Sequence, residues 1–141
     1  MAHSHPVLVV DDDYTIQTII SHILDQAGLT PVTCEDGELA IEMINVLEFK
    51  LVILDLTLPK VDGWNVLSTI LASSPSTSIL VITGTVTPQT EKFKNENFER
   101  DDIDVYYKPI VDREEFISIV QGLVRGALRK DADNTANQFI E

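Results

Sequence analysis

Leu51-Val52-Ile53-Leu54-Asp55-Leu56-Thr57-Leu58-Pro59-Lys60-Val61-Asp62-Gly63 is the segment on which the fold is read. Its apolar opening, Leu51 to Leu54, shows no alternation of apolar and polar residues. That pattern fits a strand covered on both faces, which belongs to a parallel sheet packed between helices. Asp55 closes the run, and the loop passes Pro59 before Asp62-Gly63 turns the chain into a helical pattern. Trp64, Leu67, Ile70 and Leu71 mark that helix, and Ser73-Ser74-Pro75 ends it. In open α/β sheets the carboxyl ends of strands are where ligands bind, and Asp55 stands at such an end.

The rest of the chain repeats this unit. Upstream, Val7 to Val10 is a strand closed by Asp11-Asp12-Asp13, and Tyr14 to Ala27 carries apolar residues at helical spacing up to Gly28 at the C-cap position. Pro31 to Cys34 reads as a short edge strand, because proline removes a ladder donor. Leu39, Ala40, Met43, Ile44 and Leu47 mark the next helix. Downstream, Ile79 to Thr83 is a strand, and the charged segment from Gln89 to Asp102 predicts a short, mostly exposed helix. A strand is expected from about Val105 to Lys108. The last helix starts at Asp112, with Glu115 in capping-box register, and carries a stripe of Phe116, Ile117, Val120, Leu123, Val124, Ala127 and Leu128 that predicts a buried face. Five alternating units predict a parallel sheet with helices on both sides and its winding reversal between the first and third strands. Residues 1–130 are expected to form this domain, and 131–141 a frayed polar tail.

Composition narrows function. The 141 residues suffice for one ordinary domain, and 44% apolar content argues against disorder. With 10 basic and 23 acidic residues the net charge is −13, which disfavours nucleic acid and anionic membrane as partners. A single cysteine, Cys34, fits a reducing compartment. No signal-like N-terminus or membrane-spanning apolar stretch is present in the sequence, so a soluble cytoplasmic protein is expected.

The polar residues at the strand ends carry the chemistry. If the runs are neighbouring strands, Asp11, Asp12, Asp55, Thr83 and Lys108 converge on one edge. Crowded carboxylates repel, and a hard divalent cation relieves them; Mg²⁺ suits one or two carboxylates, several waters and a phosphate. Each residue also has a plain structural reading. The acidic triplet can cap a helix, and Asp13 is assigned that role. Thr83 can simply end a strand and Lys108 can be an exposed charge before Pro109, whereas the functional reading gives the Thr83 hydroxyl to a phosphoryl oxygen that the backbone approaches closely at Gly84. Asp62-Gly63 is assigned to helix initiation and Trp64 to the core, while His3, His5 and His22 have no neighbouring ligands in sequence. As a nucleophile, Asp55 could form an aspartyl phosphate.

Taken together, Val9-Val10-Asp11-Asp12, Ile53-Leu54-Asp55, Leu58 to Gly63, Ile82-Thr83-Gly84 and Lys108-Pro109 resemble the receiver domain of two-component response regulators, in order and near spacing, over roughly Val7 to Lys130. The resemblance implies a flavodoxin-like (βα)₅ fold with strand order 2-1-3-4-5. It implies that Asp55 accepts phosphate from a histidine kinase or a histidine phosphotransfer protein, as part of bacterial two-component signalling or a phosphorelay. Asp11 and Asp12 are then the Mg²⁺-binding acidic pair, with Asp55 and the Thr57 backbone carbonyl as further ligands. Thr83 and Lys108 are the switch hydroxyl and the phosphate-pairing lysine, and Thr57, Gly84 and Thr85 flank the site and tune phosphate lifetime. The domain is a signalling module rather than a turnover enzyme. Its output passes to a protein target through the surface of the fourth helix, fifth strand and fifth helix, and a homodimer is a separate expectation. The sequence departs from the family pattern at Val105, where an aromatic is common; the tyrosines are Tyr106 and Tyr107. A phosphorylation-independent receiver that only binds proteins is the alternative. An FMN-binding flavodoxin would need its phosphate loop after the first strand, and an aspartyl phosphatase a second Asp at Thr57.

Overall fold

The computed structural model describes residues 5–138. In chain order the elements are β1 (Pro6–Val10), α1 (Tyr14–Gln26), β2 (Thr30–Cys34), α2 (Gly37–Val46), β3 (Leu51–Asp55), α3 (Gly63–Ser73), β4 (Ser78–Thr83), α4 (Pro88–Asn97), β5 (Ile103–Tyr107) and α5 (Arg113–Gln138). All strand pairs are parallel and the sheet order is β2-β1-β3-β4-β5. This is the parallel sheet that the alternating pattern predicts, in the flavodoxin-like order that the family resemblance implies.

Burial on both faces explains the unbroken apolar runs. Val7 and Val9, Leu51 and Ile53, and Leu80 and Ile82 pack with Ile20, Leu24, Phe116 and Val120 of α1 and α5. Leu8 and Val10, Val52 and Leu54, and Ile79 and Val81 pack with Ala40, Ile44, Val66 and Ile70 of α2 and α3. Successive strand residues point to opposite faces, so each strand feeds both cores. Every residue of β3 and β4 is buried, as expected for the inner strands.

Helix ends follow local chemistry. Asp13, Asp36 and Asp62 cap α1, α2 and α3 by accepting hydrogen bonds from first-turn backbone N–H groups. Asp112 does the same for α5, accepting from Glu115 N at 3.0 Å. Gly28 stands just past α1 with φ +80°, the left-handed conformation that glycine adopts without a Cβ penalty.

Three expectations change. β5 begins at Ile103 rather than near Val105 and ends at Tyr107, because Ile79 and Leu80 of β4 pair with Ile103 and Asp104. Leu128 of the predicted buried stripe is 37% exposed, and Ile117 is only partly buried, so the buried face of α5 is narrower than the stripe. Residues 131–138, placed by the sequence in a polar tail, continue α5 to Gln138, and the rest of that tail lies outside the described residues. Around Lys130 and Asp131 the helix is clasped to the opposite end of the sheet from Asp55. Lys130 bonds Asp102 and, at 2.9 Å, the Pro75 carbonyl, while Lys50 bonds Asp131.

Candidate phosphoacceptor and metal site

Strand register builds the site. Val10 of β1 pairs with Leu54 of β3, so the next residues, Asp11 and Asp55, emerge side by side. Neighbouring strands lie about 4.8 Å apart, close enough for two carboxylates to share one cation. Asp55 pairs in turn with Ile82 of β4, and Thr83 pairs with Tyr107 of β5, which puts Thr83 and Lys108 at the same sheet edge.

The acidic groups meet. One carboxylate oxygen each from Asp11, Asp12 and Asp55 lie within 4.8 Å of one another. Asp11 and Asp55 are buried, whereas Asp12 is exposed and gives the cluster a side open to water. Lys108 Nζ donates to Asp11 Oδ2 at 2.9 Å and to Asp55 Oδ2 at 3.1 Å. Thr57 N donates to Asp55 Oδ1 at 2.9 Å, and Asp13 N to Asp11 Oδ1 at 2.9 Å. Three negative charges therefore face one ammonium.

The protonation tendencies follow from that crowding. Burial pushes the Asp55 carboxyl above its ordinary value; bonds from Thr57 and Lys108 pull it back, and the Asp11 charge adds to the rise. Burial alone would depress the Lys108 ammonium, but hydrogen bonds and charge from Asp11 and Asp55 outweigh it and hold it above its ordinary value. A divalent cation fits this donor set. The oxygens are hard, the set is short of positive charge, and the exposed side leaves room for the waters that Mg²⁺ retains.

Thr83 is 3% exposed, and its hydroxyl is engaged with its own loop: it accepts from Thr85 N at 3.3 Å and lies 3.4 Å from the Thr85 carbonyl. It does not bond Asp55. A cleft of about 600 Å³ opens beside it, lined by Thr57, Trp64, Thr83, Thr85 and Thr90 among others. Trp64 is half-buried and meets Phe93 edge-on at 5.7 Å, so it belongs to the packing as expected. A Cβ at Gly84 would meet nothing within 4 Å. Val105 is buried at 6% exposure and packs in the α2/α3 core. The Lys108–Pro109 peptide is cis.

Several supporting contacts are not legible in the sequence, although Asp62-Gly63 itself reads there as a turn. Gln17 Nε2 donates to the Asp11 carbonyl at 2.6 Å and to the Cys34 carbonyl at 3.2 Å, bracing the acidic loop against β2. Gly63 is required by contact, since a Cβ there would lie 2.4 Å from the Leu56 carbonyl oxygen. Tyr107 bonds Glu91 of α4. Each depends on a partner distant in sequence, so periodicity and spacing could not reveal it.

Comparison with known proteins places the chain in a family. The family model of the response regulator receiver domain matches residues 7–121. Among curated proteins, the cell cycle response regulator CtrA of Brucella ovis is 29% identical over 119 residues, covering 84% of this chain and 50% of that protein. The chain thus spans about half the length of the curated relatives it matches. Among solved structures, a CheY-like response regulator receiver domain protein from Methanospirillum hungatei superposes with a TM-score of 0.79 at 20% identity, covering 91% of this chain and 99% of that one. The signal receiver domain of a putative LuxO repressor protein from Vibrio parahaemolyticus gives a TM-score of 0.79 at 22% identity, covering 92% and 97%. With the profile spanning most of its length and the sheet order matching, the chain belongs to the response regulator receiver domain family.

Proposed function

We propose that this receiver domain accepts a phosphoryl group on Asp55 from a phosphohistidine and uses it to switch a protein-binding surface. The observation that carries this reading is Lys108 Nζ bridging Asp11 and Asp55 beside an exposed Asp12. The arrangement pairs a nucleophile with an aimed cation and leaves its other side open.

Asp11, Asp12 and Asp55, with the Thr57 backbone carbonyl, would hold Mg²⁺. Bound there, the ion supplies positive charge to the carboxylates and to the phosphoryl oxygens. Asp55 attacks the phosphorus of the donor. The new O–P bond forms as the P–N bond breaks, and that electron pair returns to the imidazole nitrogen, which takes up a proton. Positioning and charge neutralisation do most of the work in such a transfer. Lys108 holds the growing charge, and Thr83 leaves its Thr85 partners to bond a phosphoryl oxygen. Thr57, Gly84 and Thr85 are exposed beside the site, where water must approach, so these residues set the lifetime of the phosphoryl group.

The donor is a histidine kinase or histidine phosphotransfer protein. The downstream partner is a protein target, or a second copy of the chain, on the α4–β5–α5 surface, where Phe98 is 74% and Val111 is 83% exposed. The reading fits a signalling module without nucleic acid or membrane binding. No helix among the described residues is long and apolar enough to cross a membrane.

Incubation with acetyl phosphate and Mg²⁺, followed by intact mass measurement, tests the assignment. One phosphoryl group should appear on the wild type and none on Asp55→Asn or without Mg²⁺. An unlabelled wild type would leave a domain that acts by protein binding alone.

A further inference from the structure

The carboxyl end of β5 carries a second polar network, separate from the acidic cluster. The Tyr107 hydroxyl donates to the Glu91 carboxylate and lies 3.4 Å from Thr90 Oγ. The Lys94 ammonium sits 5.3 Å from the centroid of the same ring. Thr90 is 3% exposed and knots the start of α4: its hydroxyl donates to the Thr87 carbonyl at 2.9 Å and accepts from Thr87 N at 2.8 Å, while Thr90 N donates to Thr87 Oγ at 3.1 Å. The first turn of α4 is thus locked on itself and tied by Tyr107 to the last residue of β5.

That residue is placed to feel the site. Tyr107 pairs in register with Thr83, and the N–H of the next residue, Lys108, donates to the Thr83 carbonyl at 2.8 Å. Thr83 in turn holds Thr85 through its hydroxyl, two residues before the α4 cap at Thr87. A closed circuit results: Thr83, Thr85, the Thr87–Thr90 cap, Tyr107, and back to Thr83 through the β4–β5 pairing. Val105, buried on the same face of β5, carries no polar side-chain atom that could make such a link.

We infer that the Tyr107–Glu91 hydrogen bond is a latch that holds α4 in the resting position and sets how readily Asp55 is phosphorylated. The inference rests on the reading of Asp55 as phosphoacceptor. In the arrangement seen, the Thr83 hydroxyl is turned to Thr85 rather than to Asp55. Bonding a phosphoryl oxygen requires Thr83 to release Thr85, which frees residues 84–87 and shifts the cap on which Tyr107 rests. A contact made in the resting arrangement and lost on switching opposes phosphorylation by its own free energy. Tyr107 is a positioning residue in this scheme and touches no reacting atom.

The test is the initial rate of labelling by acetyl phosphate at saturating Mg²⁺ for the wild type, Tyr107→Phe, Glu91→Ala and the double variant. Loss of one hydrogen bond of ordinary net strength should speed labelling about threefold to tenfold in each single variant. The double variant should be no faster than the quicker single one, because both remove the same bond. A labelled wild type with unchanged or slower variants overturns the latch while leaving the phosphoacceptor role intact, even if the variants melt earlier. Additive effects overturn it as well, since they place the two residues on separate routes. A wild type that takes no label sinks the phosphoacceptor reading and the latch with it.

Discussion

Three consecutive aspartates do three jobs. Asp11 is buried against Lys108, Asp12 is exposed at the cluster, and Asp13 caps α1 by accepting from Thr15 N at 2.9 Å. Asp13→Ala should therefore cost about 1 kcal/mol in urea unfolding, the usual value of a cap, and leave Mg²⁺ affinity nearly unchanged in calorimetry. Asp12→Asn should do the reverse. Lys108→Met would leave two buried carboxylates facing each other, at a cost of about 3 kcal/mol without cation, partly recovered on adding Mg²⁺. Asp55 also makes stability depend on pH. Its folded carboxyl titrates above the ordinary 3.8 because of burial, so the folded state holds the proton more tightly. Its contribution favours folding below that ordinary value and is lost as pH rises through the raised one. Unfolding midpoints of Asp55→Asn in the absence of divalent cations should lack this decline.

At the scale of elements, close approach decides what may change. The start of α3 packs on the chain leaving β3, with Gly63 against Leu56. Gly63→Ala should destabilise by about 2 kcal/mol or more, because the clash is with backbone that cannot rotate away. It should also weaken Mg²⁺ binding by moving Thr57; thermal melts with and without the ion separate the two effects. Gly28→Ala has open space but a left-handed backbone, so its cost should be nearer 1 kcal/mol and should not touch the ion. Mg²⁺ titration of both variants checks the contrast. α4 is the element least held by core packing, with Thr90 as its only buried residue. Its position therefore rests largely on its cap, on Phe93 and on the Tyr107 link.

For the whole molecule, chemistry and anchoring occupy opposite ends of the sheet. The acidic cluster lies at the carboxyl ends of the strands, while α5 is clasped at the amino ends through Asp102. That carboxylate accepts from Arg100 Nε at 2.9 Å, from Arg100 Nη2 at 2.8 Å, and from Lys130. Burial would raise the Asp102 carboxyl, but the paired Arg100 and Lys130 overcome it and hold it at about 2. A depressed folded value means stability that is fully present above the ordinary 3.8 and lost as pH falls toward 2. Asp102→Asn should remove about 2 kcal/mol near neutrality and flatten the acid limb of the unfolding curve. Phosphoacceptor chemistry should survive that change, because the clasp and the site share no residue.

Apolar runs without alternation, helical spacing and the Asp, Ser and Gly punctuation determined the five units and the fold class, because each is a local property of the chain, while the family is read from the resemblance carried by the ordered motifs at Asp11-Asp12, Asp55, Thr83 and Lys108. The same local order put Asp11, Asp55, Thr83 and Lys108 at strand ends, and so made the candidate site legible. The structure alone decided that Lys108 spans two aspartates, that Thr83 rests on Thr85, that Gln17 braces Asp11, and that α5 runs on past Lys130. It alone joined Tyr107 to Glu91. Those outcomes depend on strand register and on residues far apart in the chain, and a contact of that kind exists only once the sheet has brought its partners together.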